Sequence, residues 1–179
     1  MKTLIIHPDD RTTDFLCGIY ATLPEYTLVI NGTKAHVNSL IDAHDRIIMC
    51  GHGTPMGLLS VKQFDSFEYI IDSYTVPRIR GKECIYIWCN ADKFVQAHSL
   101  KGLYSGMFVS EVNESILMGI GFVRQKVVDQ SNDCFANNMG SSIMMSLSEI
   151  YERVLHNYGL LAKTNIIAKY NARRLFLDI

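Results

Sequence analysis

The feature that most constrains this chain is an alternation of short apolar runs, rich in β-branched residues, with stretches of helical spacing. Leu4-Ile5-Ile6, Thr27-Leu28-Val29-Ile30 and Arg46-Ile47-Ile48-Met49-Cys50 are the first three runs. They end at Pro8-Asp9-Asp10, Asn31-Gly32 and Gly51-His52-Gly53. Glu83-Cys84-Ile85-Tyr86-Ile87-Trp88 is a fourth, apolar nearly throughout, as a strand covered on both faces should be. Leu103 to Val109 is a fifth. Between these runs, Thr12-Thr13-Asp14 can cap a helix with Phe15, Ile19 and Leu23 on one face. Val37, Leu40 and Ile41 mark a helix ending near His44, and Asp92 to His98 and Glu111 to Met118 mark two more. Residues 54–66 read as irregular, and Phe67 to Arg80 as a helix limited by Pro77. The alternation predicts an α/β three-layer sandwich with a mostly parallel sheet of about five strands. From about Val127 the strand signals stop. Helices through Phe135, through Leu147-Ile150-Val154-Leu155 and through Ile166-Tyr170-Leu175 follow. Without a linker-like shift in composition or a repeat, one domain over 1–179 is expected, with a sheet core over 1–123 and a helical C-terminal cap over 124–179.

Composition narrows the function classes. The 179 residues are 48% hydrophobic, and 17 Lys+Arg against 18 Asp+Glu leave a formal net charge of -1. That balance offers no electrostatic case for nucleic acid or an anionic membrane. No apolar run is long enough for a signal core or a membrane span. The five cysteines, Cys17, Cys50, Cys84, Cys89 and Cys134, are odd in number and irregularly spaced, so reduced thiols and a cytoplasmic location are expected.

In an open parallel sheet, ligands bind beyond the carboxyl ends of the strands. His52 leaves the third strand between two glycines. Cys89 ends the fourth, with Asn90-Ala91-Asp92 opening a helix behind it. If those strands are neighbours, imidazole and thiol share one rim. A helix N-terminus or an imidazolium lowers a thiol pKa, His52 could take the proton, and the N–H groups of Gly53 and Cys89 could hold an oxyanion. Rival readings attach to the same residues. Cys89 could be an inert core thiol. Cys50, His52 and Cys89, with His7, could bind zinc, although only Cys50 and His52 come close to the ligand-pair spacing of a structural site. No metal is expected on that spacing; the run from Gly51 to Gly57 lacks both the Lys-Ser/Thr end of a P-loop and GxGxxG spacing, so phosphate binding is weak there and no cofactor is expected. Ser110 and Glu111 leave the fifth strand on the same rim, where Glu111 could line a pocket, orient His52 or be solvated.

Ile47-Ile48-Met49-Cys50-Gly51-His52-Gly53 and Ile85-Tyr86-Ile87-Trp88-Cys89, separated by about 35 residues, resemble the caspase-like fold of clan CD cysteine peptidases. That group includes caspases, metacaspases, gingipains, separases and CHAT domains. The segment from Leu103 to Glu111 resembles the strand after the family's cysteine, and element order is similar over roughly residues 1–120. The resemblance implies a hydrolase acting on a peptide or protein substrate, with Cys89 as nucleophile, His52 as general base or acid, and Gly53 as an oxyanion-hole N–H. It also implies that the loop after strand one helps to hold a charged substrate residue. There Arg11, with Thr12-Thr13-Asp14, favours an acidic residue, whereas Asp9 or Asp10 favours Arg or Lys. Both readings stay open. Ile87-Trp88 is bulky where many members carry small residues, and Asn90 replaces a small or glycine-containing turn. Those departures bear on substrate recognition, and the bulk of Trp88 and the small size of the chain favour an alternative, a catalytically inactive caspase-like module that binds a protein partner. A third reading is a Rossmann-like protein that binds a nucleotide or small molecule at the 51–57 turn. The oligomeric state is left open.

Overall fold

Each of the first three apolar runs forms a strand in the computed structural model, which describes residues 1–65 and 68–179. β1 (Thr3–Ile6) lies between β2 (Thr27–Val29) and β3 (Arg46–Cys50), parallel to both. The chain then makes a small antiparallel sheet of β4 (Gly53–Thr54), β5 (Gly57–Leu59) and β6 (Tyr69–Ile71). The main sheet resumes with β7 (Glu83–Ile87) beside β3 and β8 (Gly102–Ser105) beside β7, again parallel. Its last member is β9 (Leu175–Asp178), giving the order β2-β1-β3-β7-β8-β9.

One face of this sheet packs against α1 (Lys34–Ala43), α2 (Val76–Ile79) and α3 (Ala91–Ala97). Val37, Ile41, Val76, Ile79, Phe94 and Val95 join Leu4, Ile6, Ile47, Met49, Cys84 and Tyr86 in one core cluster. Ile5, Ile48 and Ile85, of the opposite parity, are fully buried as well. Burial of both parities is why these strands read as unbroken apolar runs and not as alternations. Each such side chain contributes about 1.5–3 kcal/mol of transfer free energy. After β8 come α4 (Val112–Leu117), α5 (Gln125–Ser142), α6 (Leu147–Leu161) and α7 (Ile166–Asn171). Among the described residues no helix is long and apolar enough to cross a membrane.

By its internal contacts the chain divides into two compact units. Met1–Asp14, Pro24–Gly106 and Phe176–Ile179 make the first; Phe15–Leu23 and Met107–Leu175 make the second. In the second unit, Phe108, Phe135 and Tyr158 form a ring cluster with centroids 4.7–6.4 Å apart. The Asn171 amide there accepts from Val109 N and donates to Val109 O, both at 2.8 Å, and so satisfies a buried backbone pair that has no strand partner there.

Several expectations are corrected. The sheet has six strands, because the predicted last helix stops at Asn171 and Leu175–Asp178 is β9. Tyr104 secures that edge: its hydroxyl donates to Asp178 Oδ2 at 2.6 Å, and its ring lies 5.6 Å from that of Phe176. The predicted fifth strand is short, ending at Ser105 rather than Val109. The excursion read as irregular contains the end of β4 and all of β5, with Pro55 in the turn between them and Gly57 opening β5. The predicted helix from Phe67 to Arg80 is instead β6 followed by the single turn of α2, with Pro77 in its first turn. Residues 66 and 67, where those two predictions meet, lie outside the described residues. The first predicted helix is a 3-10 helix over Arg11–Ile19, so Thr12, Thr13 and Asp14 lie inside it.

Candidate functional site

β3 and β7 are parallel neighbours with Cys50 opposite Ile87, and Gly51 N donates to Ile87 O at 3.1 Å. His52 and Cys89 each stand two positions beyond one of those paired residues, so both leave the sheet at the same end. Strand order also reverses here, since the chain goes from β1 outward to β2 and returns past β1 to β3. The loops leaving β1 and β3 part at that point, the usual place for a ligand crevice in an open α/β sheet.

The β1 loop supplies the partners of His52. Nε2 of His52, a side chain 30% exposed, lies 2.6 Å from Thr12 Oγ1 and 3.8 Å from Asp10 Oδ1. Thr12 donates twice to the same Asp10 oxygen, from Oγ1 at 2.6 Å and from its backbone N at 2.9 Å. These bonds hold the Asp10 carboxyl below the usual carboxylate range. His7 is buried where β1 ends, with Nε2 3.1 Å from Thr13 Oγ1. Burial pushes its pKa down, against the pull of Asp14, Asp9 and Asp10.

Cys89 is half-buried in the turn between β7 and α3, followed by Asn90 in the left-handed region at φ 65°. Trp88 before it is only 2% exposed. Its ring meets Tyr86 and Phe94 edge-on, both at 5.6 Å, and its Nε1 donates to Thr54 O at 3.2 Å. Trp88 O accepts from Ser105 Oγ at 2.9 Å. The indole lies so close to Gly53 that a Cβ there would sit 2.1 Å from Trp88 Cδ1. Gly53 is therefore a glycine of close approach, whereas Gly51, at φ +139°, is one of backbone conformation. Of the other thiols, Cys50 and Cys84 are buried, and burial pushes Cys84 up to about 11. Burial also raises Cys134, and Cys17 is exposed.

Asp9, in the loop after β1, and Arg11, at the start of the 3-10 helix, are exposed, and Gln63 Nε2 donates to Asp9 O at 3.2 Å. Asp10, expected among the substrate-binding residues, is the one the structure brings to His52. Glu111 belongs to the second unit and precedes α4, where Glu114 Oε2 accepts from Ser110 N at 2.7 Å and from Glu111 N at 3.0 Å. Thr12 is the site residue that sequence reasoning missed, and the Asp-x-Thr spacing of a side-chain turn was its signal. Among the described residues no three His, Cys, Asp or Glu side chains are grouped to hold a metal ion. No protein-family model, no curated protein and no solved structure matches this chain.

Proposed function

We propose that the chain is a caspase-like cysteine hydrolase in which Cys89 attacks the carbonyl carbon of a peptide bond. The observation that supports it is the adjacency of β3 and β7, with Cys50 opposite Ile87, which sends His52 and Cys89 out from neighbouring strands. In this reading His52 takes the thiol proton and the thiolate adds to the carbonyl. The N–H of Gly53 stabilises the resulting oxyanion, and its collapse expels the amine, which leaves with the proton from His52. Water then hydrolyses the thioester, His52 again receiving the proton. A three-layer caspase-like arrangement and a reducing, cytoplasmic setting belong to the same proposal. Asp9 and Arg11, both exposed in the segment after β1, are the charged groups assigned here to a substrate residue. The inactive-module reading drew on the bulk of Trp88, and that bulk lies in the core cluster.

Alkylation by iodoacetamide at neutral pH, followed by peptide mapping, tests the proposal. Cys89 is expected to react about tenfold or more faster than the exposed Cys17, and His52→Ala should abolish the difference. Equal, slow labelling of Cys89 and Cys17 in the wild-type protein would sink it.

A further inference from the structure

We propose that Thr12 and Asp10 are positioning residues that hold His52 in a single tautomer, with the proton on Nε2 and the lone pair on Nδ1 free to receive the thiol proton. The claim that this lone pair serves Cys89 rests on the hydrolase reading above; the tautomer itself does not.

The tautomer follows from a count of hydrogens. A carboxylate only accepts, and a threonine hydroxyl has one hydrogen to give. Both donors of Thr12 are directed at Asp10 Oδ1, at 2.6 and 2.9 Å, and those bonds keep Asp10 ionised. Toward His52, Thr12 Oγ1 can therefore offer only a lone pair. A 2.6 Å contact with Nε2 then requires the hydrogen to be on Nε2. Neutral imidazole carries one such hydrogen, so Nδ1 is the basic nitrogen. The opposite tautomer would set two lone pairs against each other, or turn the hydroxyl away from Asp10 and cost the carboxylate a donor. Once Nδ1 accepts a proton, the imidazolium has Asp10 Oδ1 at 3.8 Å from its Nε2 as counter-charge. The arrangement follows the general logic of a base oriented by a third group, here relayed through a hydroxyl. It assigns Asp10 to His52 instead of to a substrate residue.

Long-range 1H–15N correlation of the imidazole nitrogens at about pH 8, where histidine is neutral, tests this directly. The His52 signals are assigned by their loss in His52→Gln. In the wild-type protein His52 should show a protonated Nε2 and an unprotonated Nδ1. Thr12→Val should give a mixture of tautomers and slow Cys89 alkylation by about tenfold, the contribution of one such hydrogen bond. Thr12→Ser, which restores the hydroxyl, should keep the wild-type tautomer and alkylation within about twofold. A wild-type His52 protonated on Nδ1 overturns the inference, as does an unchanged tautomer in Thr12→Val; should that variant not fold, the wild-type and Thr12→Ser spectra decide. The expected tautomer with slow wild-type alkylation refutes the hydrolase reading and leaves the Asp10–Thr12–His52 assignment standing. Fast alkylation with the opposite tautomer does the reverse.

Discussion

Gly53 shows how a single residue ties the site to the core beneath it. A Cβ at this position would lie 2.1 Å from Trp88 Cδ1 and 2.7 Å from Gly57 O, so ring and backbone would both have to move. Gly53→Ala should lower stability by about 1–3 kcal/mol, the usual range for overpacking. An unchanged urea midpoint would show instead that the indole has room to shift. Reactivity divides the thiols at the same scale. Cys50 and Cys84 are fully buried and should stay unlabelled until the protein unfolds. That His52 and Cys89 leave the sheet at strand ends was legible in the sequence, because each follows an apolar run. Thr12 was not, because its hydroxyl meets a partner 40 positions away and its neighbours read as a helix cap. That the close approach at Gly53 is to the Trp88 ring was equally hidden, since that ring comes from the turn after β7, far along the chain.

Elements were legible where their reasons are local. β1, β3 and β7 carry their burial on both faces as continuous apolar runs, and α1, α3 and α6 have recognisable spacing. Ser146 adds a capping box to α6, its Oγ accepting from Glu149 N while Glu149 Oε2 accepts from Ser146 N. Capping matters most for α7, which has six residues and is too short to persist alone. Asn165 Oδ1 accepts from Ile167 N and Ala168 N, both at 3.0 Å, in a buried setting. Asn165→Ala should cost about 1–2 kcal/mol, read by urea denaturation, with Asn165→Asp losing less because the accepting oxygen remains. A cost under about 0.5 kcal/mol would mean that packing alone holds the turn. β4, β5, β6 and β9 were not legible. They have between two and four residues each, and a strand that short is defined by its partner more than by its own composition.

For the whole molecule, the buried His7 predicts an acid sensitivity whose sign follows from linkage. Burial lowers its pKa below the ordinary 6.5, so near that pH the unfolded chain binds more protons than the folded one. The His7 contribution is fully present above the ordinary value and is lost as pH falls toward the lower folded one. Urea midpoints should fall between about pH 7.5 and pH 5.5, and His7→Gln should flatten that slope. Equal slopes in the two proteins would assign the acid sensitivity to other groups.

The sequence by itself determined the α/β character, the order of the early strands and helices, and the placing of an imidazole and a thiol at strand ends. Burial on both faces, helical spacing and turn residues are all written within a few positions of one another. Only the tertiary structure decided that β3 lies against β7, that the chain's last residues close the sheet beside β8, and that Asp10 reaches His52 through Thr12. Those outcomes depend on hydrogen bonds and packing between segments far apart in the chain, and no local pattern of residue types encodes which partner wins.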